Sequence, residues 1–418
     1  MTIHLSRPKS EIKFLLLEKI SETADDVLRA GGYTNIERID QGLNEDALAE
    51  AIQGVHLIGI RSRSQLTEKV IKAADKLVGV GCFSVGTNQV NLEAARTVGV
   101  PVFNAPFANT RSVAELTIAE IVMLFRRTFA QSTAAHNGGW QKSAVGSNEV
   151  RDKTLGIVGY GNIGSQLAVL AEAMGMHVVY YDVIDKLSYG TVSVASTLDA
   201  LLAQSDVVTL HVPETAATRN LMNAERIAAM KPGAFLINNA RGTAVDIDAL
   251  AAALRSGHLR GAAIDVFPTE PKSNDDPFES PLQGLENVIL TPHVGGSTQE
   301  AQLRIGDEVA RRFVEYADTG TTLGAVNFPQ AQLPLAPGTM RFIQTHRNVP
   351  GQLKRVTRVF ETAQRNISGM LNQSDGDLGY AIIDVDHPAD NPIPDPHAIL
   401  EEIRGLSGTI KARLLNRV

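Results

Sequence analysis

The chain has 418 residues, of which 44% are hydrophobic and 20% are charged, as is typical of a soluble globular protein with two or three domains. Its 39 lysines and arginines against 46 acidic residues give a net charge of −7, which argues against binding to the phosphate backbone of a nucleic acid. The one cysteine, Cys82, cannot form an internal disulfide and favours a reducing compartment, so the expected location is the cytoplasm.

The apolar pattern predicts neither export nor a membrane partner. The first apolar run, 14–17, is shorter than the core of a secretory signal. The most apolar segment, 118–125, is interrupted by Glu120 and falls short of the ~20 residues that cross a bilayer. We therefore expect residues 118–125 to form a buried helix.

In chain order, the first hundred residues alternate short apolar runs with longer amphipathic ones. Strands are predicted at 14–17, 55–60, 77–80 and 100–103, and helices at 67–74 and 91–98. This alternation of buried strands and helices predicts a parallel sheet that is covered on both faces.

The next helix is predicted to begin at Ser112, because a serine followed three residues later by Glu115 can cap a helix start reciprocally. Apolar side chains then recur at the spacing of one helical face, at Ile118, Ile121, Val122 and Phe125. This stripe predicts a helix that packs on a core.

From residue 155 a second series of strands and helices begins. Strands are predicted at 155–159, 177–182, 207–212, 234–239, 262–267 and 288–291, and six strands suit a complete dinucleotide-binding domain. A long helix is predicted over 298–317. The prolines at 329, 334 and 337 then indicate a linker, with a domain boundary near residue 335.

The remaining residues predict the order strand 340–345, helix 353–363, strand 367–372, strand 380–385, helix 398–405 and strand 409–414. That βαββαβ order is typical of a ferredoxin-like domain. Since this region has few clustered polar side chains, ligand sensing or assembly is a better interpretation than catalysis.

A glycine motif, Gly-Tyr-Gly-Asn-Ile-Gly over 159–164, directly follows a predicted strand and precedes an amphipathic helix. In this context Gly159 permits a tight turn, Gly161 lets the backbone approach a pyrophosphate, and Gly164 allows close packing of helix and sheet. The amides and dipole of the helix start favour an anion. The alternative is a turn without a ligand.

Asp182 ends the next predicted strand, where a carboxylate accepts hydrogen bonds from the adenosine ribose and repels a 2′-phosphate. Its position favours NAD over NADP as the cofactor. The alternative is an aspartate that only closes a strand-end turn, and the nearby Lys186 is a complication for the NAD interpretation.

Three polar residues, Arg241, Glu270 and His293, follow three consecutive predicted strands. Oxidation of a hydroxy acid by a nicotinamide cofactor needs a cation for the carboxylate and carbonyl, a base for the hydroxyl proton, and an anion beside the base. Histidine suits the base because its ordinary pKa of about 6.5 lies near neutrality. Each residue alone has a structural explanation, but ligands bind where the carboxyl ends of parallel strands meet. We therefore predict a catalytic site made of these three residues.

The segments that carry these residues resemble those of the D-isomer-specific 2-hydroxyacid dehydrogenases, and the resemblance extends over essentially the whole chain. The segments are 109–115, 159–164, 239–242, 261–267 and 291–296. The resemblance implies an α/β fold in which a Rossmann-type NAD domain, 109–297, is inserted in a flavodoxin-like substrate domain formed by 1–108 and 298–335. Residues 336–418 would form a C-terminal ferredoxin-like ACT domain with a regulatory role.

By that resemblance Arg241 anchors the substrate carboxylate and carbonyl, His293 exchanges the hydroxyl proton, and Glu270 holds the imidazole, while a hydride passes to NAD. Asp265 would contact the nicotinamide carboxamide or help the histidine. The implied cofactor contacts are Gly159, Gly161, Asn162, Ile163, Gly164, Asp182, Asn239, Ala240, Asp265, Gly295 and Gly296. The implied substrate contacts are Arg61, Ser62, Arg63, Asn109 and a loop containing Gly81, Ser84, Val85 and Gly86. No metal is implied.

Within the family, the resemblance extends to members that oxidise 3-phospho-D-glycerate to 3-phosphohydroxypyruvate, the first step of L-serine biosynthesis, and that can also reduce 2-oxoglutarate. Arg61 and Arg63 are the candidates for the substrate phosphate, because two arginines suit a dianion. The alternative is a solvated basic turn. Trp140 and Lys142 lie where relatives bring groups from a second subunit toward the site.

Regulation is also implied. L-Serine would bind to the ACT domain at His346, Asn348 and Asn366 as a feedback effector, unless this loop serves only assembly. Pairing of ACT domains and of nucleotide domains would build a homotetramer. Two alternatives remain for the whole chain: a dehydrogenase of another 2-hydroxy acid, and a nucleotide-sensing corepressor or scaffold, against which the complete Arg, Glu, His set argues.

Overall fold

The computed structural model describes residues 8–140, 142–188, 190–271 and 275–415. They form two compact units. One consists of the residues up to Ala108 together with those from Gln302 onward, and the other is Asn109–Ala301. Both units contain the α/β alternation that the sequence predicts.

The first unit begins with a short 3-10 turn, Lys9–Glu11, and a five-stranded parallel sheet. Its strands are β1 (Phe14–Leu17), β2 (Ile36–Ile39), β3 (Leu57–Ile60), β4 (Gly79–Cys82) and β5 (Val102–Phe103), and its helices are α1 (Thr23–Ala30), α2 (Glu45–Ala51), α3 (Glu68–Ala73) and α4 (Leu92–Thr97). The strand order is β2-β1-β3-β4-β5. Successive side chains of β1 enter two different apolar clusters, so both faces of this sheet are covered, as predicted. The sequence pattern missed β2, α1 and α2.

The second unit contains a seven-stranded parallel sheet, and the glycine motif connects its strand β6 to helix α7. In chain order its elements are α5 (Thr110–Arg126), α6 (Thr128–His136), β6 (Thr154–Val158), α7 (Asn162–Ala173), β7 (His177–Tyr181), β8 (Ser193–Val194), α8 (Leu198–Gln204), β9 (Val207–Leu210), α9 (Ala224–Ala229), β10 (Phe235–Asn238), a 3-10 turn (Gly242–Ala244), α10 (Ile247–Arg255), β11 (Gly261–Ile264) and β12 (Val288–Leu290). The strand order is β12-β11-β10-β9-β6-β7-β8. The chain thus winds outward in both directions from β6 and β9, which is the doubly wound arrangement of dinucleotide-binding domains.

The predicted capping box at Ser112 is wrong. The helix α5 begins at Thr110, two residues earlier. The hydroxyl of Ser112 instead shares a hydrogen bond with the hydroxyl of Thr298 at 2.7 Å, and Glu115 pairs with Arg111 on the exposed side of the helix. Both members of the supposed box therefore have other partners.

The last part of the chain returns to the first unit. Its elements are α11 (Gln299–Thr319), β13 (Thr339–Arg347), α12 (Gln352–Thr362), β14 (Ile367–Asp375), β15 (Leu378–Asp386), α13 (Pro396–Gly405) and β16 (Thr409–Leu415). The four strands form an antiparallel sheet in the order β14-β15-β13-β16. This confirms the ferredoxin-like βαββαβ prediction. The β14–β15 hairpin is longer than predicted, because a tight turn at Gly376 lets both strands continue.

This four-stranded sheet shares an apolar core with the first sheet of the same unit. The hydroxyl of Tyr380 on β15 donates to the carbonyl of Gly320 at 2.6 Å. Arg341 on β13 is buried and pairs with Asp384 at 2.6 Å, while it also donates to the carbonyl oxygens of Thr319 and Leu333 at 2.9 Å. Within the described ranges, none of the helices is both long and apolar enough to span a membrane.

Candidate active site

Three neighbouring strands of the second unit lead to the three residues predicted as catalytic. β10, β11 and β12 are adjacent and parallel, so their carboxyl ends lie on the same edge of the sheet. Arg241 follows β10, Glu270 follows β11 and His293 follows β12. The fold therefore brings residues that are distant in the sequence to the edge where open α/β sheets bind ligands.

His293 and Glu270 form a hydrogen-bonded pair. The Nδ1 atom of His293 lies 2.9 Å from Oε2 and 3.1 Å from Oε1 of Glu270. This hydrogen bond raises the pKa of His293 against the opposing effect of burial, and the carboxylate charges of Glu270 and Asp265 raise it further. The pair orients the ring and leaves Nε2 as the nitrogen that can exchange a proton.

The other two members of the triad keep their charges at neutral pH. Burial tends to raise the pKa of Glu270, but the hydrogen bond and charge of His293 and the amide of Phe267, at 3.1 Å, hold it below its ordinary value. Burial lowers the pKa of Arg241, while the charges of Glu214 and Glu270 oppose this. Since a guanidinium has an ordinary pKa above ~12, Arg241 remains a cation beside an anion.

A buried carboxylate organises the loop that carries His293. Asp265 is 1% exposed and accepts hydrogen bonds from the hydroxyl of Thr291 at 2.6 Å and the amide of Val294 at 2.8 Å. Its second oxygen accepts from the amide of Gly295 at 2.8 Å. His293 itself has a φ of 53°, a left-handed conformation that residues with side chains adopt infrequently. The hydrogen bonds to Asp265 thus hold a loop whose backbone is strained at the proposed base.

The glycine motif has the shape that a bound pyrophosphate needs. Gly159 has a φ of 95°, and a Cβ there would overlap the carbonyl of His211. A Cβ on Gly164 would overlap the carbonyl of Gly159, whereas the space beside Gly161 is open. Helix α7 begins at Asn162 without a side-chain cap, so the amides of its first turn can donate to an anion. These features fit the diphosphate of a dinucleotide.

Asp182 lies beside this motif at the end of β7. Its carboxylate accepts from the amide of Tyr160 at 2.8 Å and from the amide of Ile184 at 3.0 Å. The first contact ties Asp182 to the glycine motif, and the second is the turn contact of the alternative interpretation. Ile163 lies in the first turn of α7. Lys186 contributes its carbonyl oxygen to the hydroxyl of Tyr180 at 2.8 Å.

A buried carboxyl group that the sequence interpretation treated only as an interruption of an apolar run lies behind the Arg241 segment. Glu120 on α5 accepts a hydrogen bond from Nδ2 of Asn239 at 2.7 Å. The same amide nitrogen donates to the hydroxyl of Thr117 at 3.0 Å. The spacing of Thr117 and Glu120, three residues apart, places both on one helical face, which is the signal that could have identified them.

Asn109 and Ala240 complete the described residues of this unit that were predicted to bind ligands. The side chain of Asn109 lies against Gly296, where a Cβ would overlap its Nδ2, and its buried Oδ1 has no hydrogen-bond partner among the described residues. The carbonyl of Ala240 accepts from Nη1 of Arg241 at 2.6 Å. Trp140 and Lys142 lie exposed in the segment after α6.

In the first unit, the Arg61 to Ser64 turn wraps around a buried carboxylate that the sequence did not predict. Glu18, at the end of β1, accepts hydrogen bonds from the backbone amides of Ser62, Arg63 and Ser64 at 2.9, 2.8 and 2.9 Å. Its carbonyl accepts from Nη1 of Arg61 at 3.3 Å. The amides of this turn are therefore occupied, and the guanidinium groups are what it can offer to an anion.

The second predicted substrate loop follows β4 in the same unit. The hydroxyl of Ser84 donates to the carbonyl of Gly86 at 2.7 Å, and the carbonyl of Val85 accepts from Nδ2 of Asn104 at 2.6 Å. The expectation that Gly81 belongs to this loop is wrong. Gly81 lies within β4 and packs against side chains of α11, where a Cβ would overlap them.

Of the residues predicted to bind an effector, His346 lies in β13, Asn348 directly follows that strand and Asn366 directly precedes β14. His346 is 2% exposed, and its ring nitrogens contact the carbonyl of the next residue and Oδ1 of Asn372, both at 2.8 Å. Asn348 and Asn366 are exposed, and Asn366 donates to Asp386 at 2.8 Å. Across the described part of the chain, no cluster of three or more His, Cys, Asp or Glu side chains could hold a metal ion.

The sequence of residues 118–295 matches the family described as "D-isomer specific 2-hydroxyacid dehydrogenase, NAD binding domain". Two relatives are similar over nearly the whole chain. A protein of Haemophilus influenzae named D-3-phosphoglycerate dehydrogenase is 52% identical over 99% of this chain and 100% of its own length. The Saccharomyces cerevisiae protein named D-3-phosphoglycerate dehydrogenase 1 is 45% identical over 97% of this chain and 88% of its own length.

Solved structures agree with these matches. The crystal structure of D-lactate dehydrogenase from Aquifex aeolicus, in complex with NAD and lactic acid, superposes with a TM-score of 0.67 at 29% identity, and covers 76% of this chain and 100% of that one. A protein of Thermus thermophilus aligns at 35% identity with a TM-score of 0.64, over 72% of this chain and 94% of its own.

Proposed function

The chain belongs to the family of D-isomer-specific 2-hydroxyacid dehydrogenases, and we propose that it oxidises 3-phospho-D-glycerate to 3-phosphohydroxypyruvate with NAD, the first step of L-serine biosynthesis. The observation that carries this proposal is the pair of His293 and Glu270, at 2.9 Å, on the same sheet edge as Arg241. The choice of substrate is supported by relatives that are about half identical over their full length and carry that name.

The chain's own residues account for the proton and the substrate's orientation. Nε2 of His293 accepts the C2 hydroxyl proton while the C2–H bond gives up a hydride, so C2–OH becomes C=O. Glu270 stabilises the imidazolium that results, because its carboxylate is already hydrogen-bonded to Nδ1. Arg241 binds the substrate carboxylate and polarises the carbonyl through its planar donor pair.

NAD, when bound, supplies the acceptor for that hydride. The residues that would hold it are the glycine motif with its open space at Gly161 and the carboxylate of Asp182. Asn239 and Gly295 lie on the loops after β10 and β12 that would border the nicotinamide.

For the substrate phosphate, the candidate groups are the guanidinium groups of Arg61 and Arg63. Because Glu18 occupies the amides of this turn, the charge available to a dianion resides in these side chains. Arg63 is exposed, and burial lowers the pKa of Arg61 without removing its charge.

The test compares initial rates of NADH formation with 3-phospho-D-glycerate and with unphosphorylated D-glycerate. The proposal predicts a higher kcat/KM for the phosphorylated acid. It also predicts that Arg63→Ala raises KM for that acid by about tenfold or more, with KM for NAD unchanged. Equal turnover of both acids, or an unchanged KM in Arg61→Ala and Arg63→Ala, would favour a dehydrogenase of another 2-hydroxy acid.

We infer three further properties: a homotetramer and feedback by L-serine, which the βαββαβ domain supports, and a cytoplasmic location. Asn348 and Asn366 are the exposed candidates for an effector, and the buried thiol of Cys82 suits a reducing compartment. A time course of NADH formation with and without L-serine tests the effector, since an unchanged rate would reject it. The relatives described by the resemblance can also reduce 2-oxoglutarate, and NADH consumption with 2-oxoglutarate tests this second activity.

A further inference from the structure

A buried carboxyl group that has no counter-ion among the described residues lies next to the segment that carries Arg241. Glu120 on α5 is 0% exposed, and its Oε2 accepts from Nδ2 of Asn239 at 2.7 Å. Asn239 is the first residue after β10 and lies two positions before Arg241. The carboxyl group of Glu120 is therefore hydrogen-bonded to the segment that presents the guanidinium.

Two oxygen atoms of this pair are buried without a hydrogen-bond partner among the described residues. They are Oε1 of Glu120 and Oδ1 of Asn239. An ionised carboxylate and an amide carbonyl are both acceptors only, so they cannot satisfy each other. A protonated carboxyl group has one O–H donor, and the carbonyl of the carboxamide it already contacts is the acceptor at hand. Leaving both atoms unpaired would cost the desolvation of two buried polar groups.

The surroundings of Glu120 favour the neutral form. The pKa of this carboxyl group is raised to about 8: burial raises it most, the hydrogen bond from Asn239 lowers it, and the charge of Asp265 raises it. The facing groups are Thr117 on the same helix, Asn239 after β10 and Asp265 after β11. The one charged group among them is an anion.

We propose that Glu120 is a neutral carboxylic acid that positions the Arg241 segment through two reciprocal hydrogen bonds with the Asn239 carboxamide. Nδ2–H of Asn239 donates to Oε2, and the acid O–H on Oε1 donates to Oδ1. The second Nδ2 hydrogen is taken by the hydroxyl of Thr117, which itself donates to the carbonyl of Val113 at 2.8 Å. Every donor and acceptor of the acid and the amide is then engaged.

The effect on Arg241 passes through the backbone. The carbonyl of Arg241 accepts from Nδ2 of Asn238 at 2.9 Å, and the amide of Ala240 donates to Oδ1 of Asn238 at 3.2 Å. Asn238, the last residue of β10, thus holds the segment through hydrogen bonds to its backbone. Asn239 holds it through hydrogen bonds to Thr117 and Glu120 on α5. Glu120 is a positioning residue, because it acts through Asn239. The kinetic consequence rests on the proposed function, but the protonation state does not.

The first test is the stability of Glu120→Gln as a function of pH. Because the pKa of the folded protein, about 8, exceeds the ordinary 4.5, the folded protein retains a proton that the unfolded chain releases, and stability falls as pH rises between these two values. Glutamine supplies the same donor and acceptor without this proton. We expect the two proteins to have similar Tm near about pH 5, and the variant to be more stable by several degrees above about pH 8.

A matched control is Glu115→Gln, which removes an exposed carboxylate from the same helix and should leave the pH dependence of Tm unchanged. A Glu120→Gln protein that is less stable than the parent at every pH would overturn the proposal, since it would mean that the buried group is needed as a charge. A Tm difference that does not vary with pH would overturn it equally.

Two further measurements use the folded enzyme. The infrared spectrum at neutral pH should contain the carbonyl stretch of a protonated carboxylic acid, which is absent from Glu120→Gln and present in Glu115→Gln. In NADH formation, Glu120→Gln should keep the parent's kcat and KM to within about twofold at neutral pH and retain activity further into the alkaline range. Identical spectra together with superimposable pH profiles would contradict the proposal. If the parent protein shows the infrared band but does not oxidise 3-phospho-D-glycerate, only the proposed function is rejected.

Discussion

The pairing of His293 with Glu270 sets the pH range in which the imidazole can act as a base. In the proposed reaction the ring must be neutral to accept the hydroxyl proton, so a pKa raised by Glu270 moves the expected onset of oxidation to higher pH. For stability, a raised folded-state pKa contributes fully below the ordinary pKa of ~6.5 and is lost as pH rises through the raised value. Because the His293 side chain is 53% exposed, this contribution is small.

Glu270→Gln should separate these two effects of the carboxylate. Without its charge the pKa of His293 falls toward its ordinary value, so the acid limb of kcat/KM for oxidation moves to lower pH. The maximal rate falls by about tenfold or more, because the imidazolium loses its partner. The measurement is a pH profile of NADH formation, with Glu115→Gln as the control. An acid limb that stays in place or moves to higher pH would contradict this assignment.

The residues that could be predicted differ physically from those that could not. Arg241, Glu270 and His293 each follow a buried apolar strand, so the strand pattern alone places them on one sheet edge. Glu120 and Glu18 carry carboxyl groups that are buried in the folded protein, whereas acidic residues are mostly exposed, so residue type alone predicts the wrong environment for both. Their partners are an amide and backbone N–H groups on other segments, which become neighbours only after folding.

At the scale of elements, β6, the glycine motif and α7 were predictable because each glycine of the motif has its own steric reason: there is no room for a Cβ at Gly159 and Gly164, and the space beside Gly161 is open. Short elements were missed for equally physical reasons. β2 is partly exposed at an edge of its sheet, and β8 is a two-residue, exposed edge strand. Neither needs the continuous apolar run that identifies a central parallel strand.

Two glycine variants should separate effects on folding from effects on NAD binding at the glycine motif. Gly161→Ala meets open space, so we expect an unchanged Tm with NAD affinity lowered by about tenfold or more, because the methyl group keeps the pyrophosphate from the backbone. Gly164→Ala would overlap the carbonyl of Gly159 and should cost about 1–3 kcal/mol of stability. Thermal melts and NAD titrations check both. A normal NAD affinity in Gly161→Ala would contradict the assigned role of the loop.

At the scale of the whole molecule, the four-stranded sheet and the first five-stranded sheet belong to one compact unit. The prolines near 335 predicted a linker, and the segment is indeed irregular. Its hydrogen bonds are nevertheless structural: Asn327 accepts from the amide of Val102 at 2.8 Å and donates to the carbonyl of Val100 at 3.1 Å. Composition indicates where helix and strand end, but it does not show what the irregular chain packs against.

Arg341 offers a test of that packing, since it links β13 to Asp384 and to carbonyl groups before the sheet. Arg341→Met leaves a buried carboxylate unpaired and should lower the free energy of unfolding by about 3–5 kcal/mol, as measured by urea denaturation. The double change Arg341→Met with Asp384→Leu should recover much of this loss. Arg311→Met, which removes an exposed pair with Asp307, should change stability by less than about 1 kcal/mol. If Arg311→Met and Arg341→Met lowered the free energy of unfolding equally, the structural role of Arg341 would be contradicted.

The most direct test of the catalytic site is the rate of NADH formation from 3-phospho-D-glycerate by the parent protein and by His293→Gln, with NAD affinity measured on both. If His293 is the base, the parent forms NADH and the variant loses about 10²–10⁴-fold in kcat, while both bind NAD equally. His397→Gln, an exposed change on α13, should match the parent. Turnover of His293→Gln close to that of the parent, or no NADH from the parent with this substrate, would contradict the account.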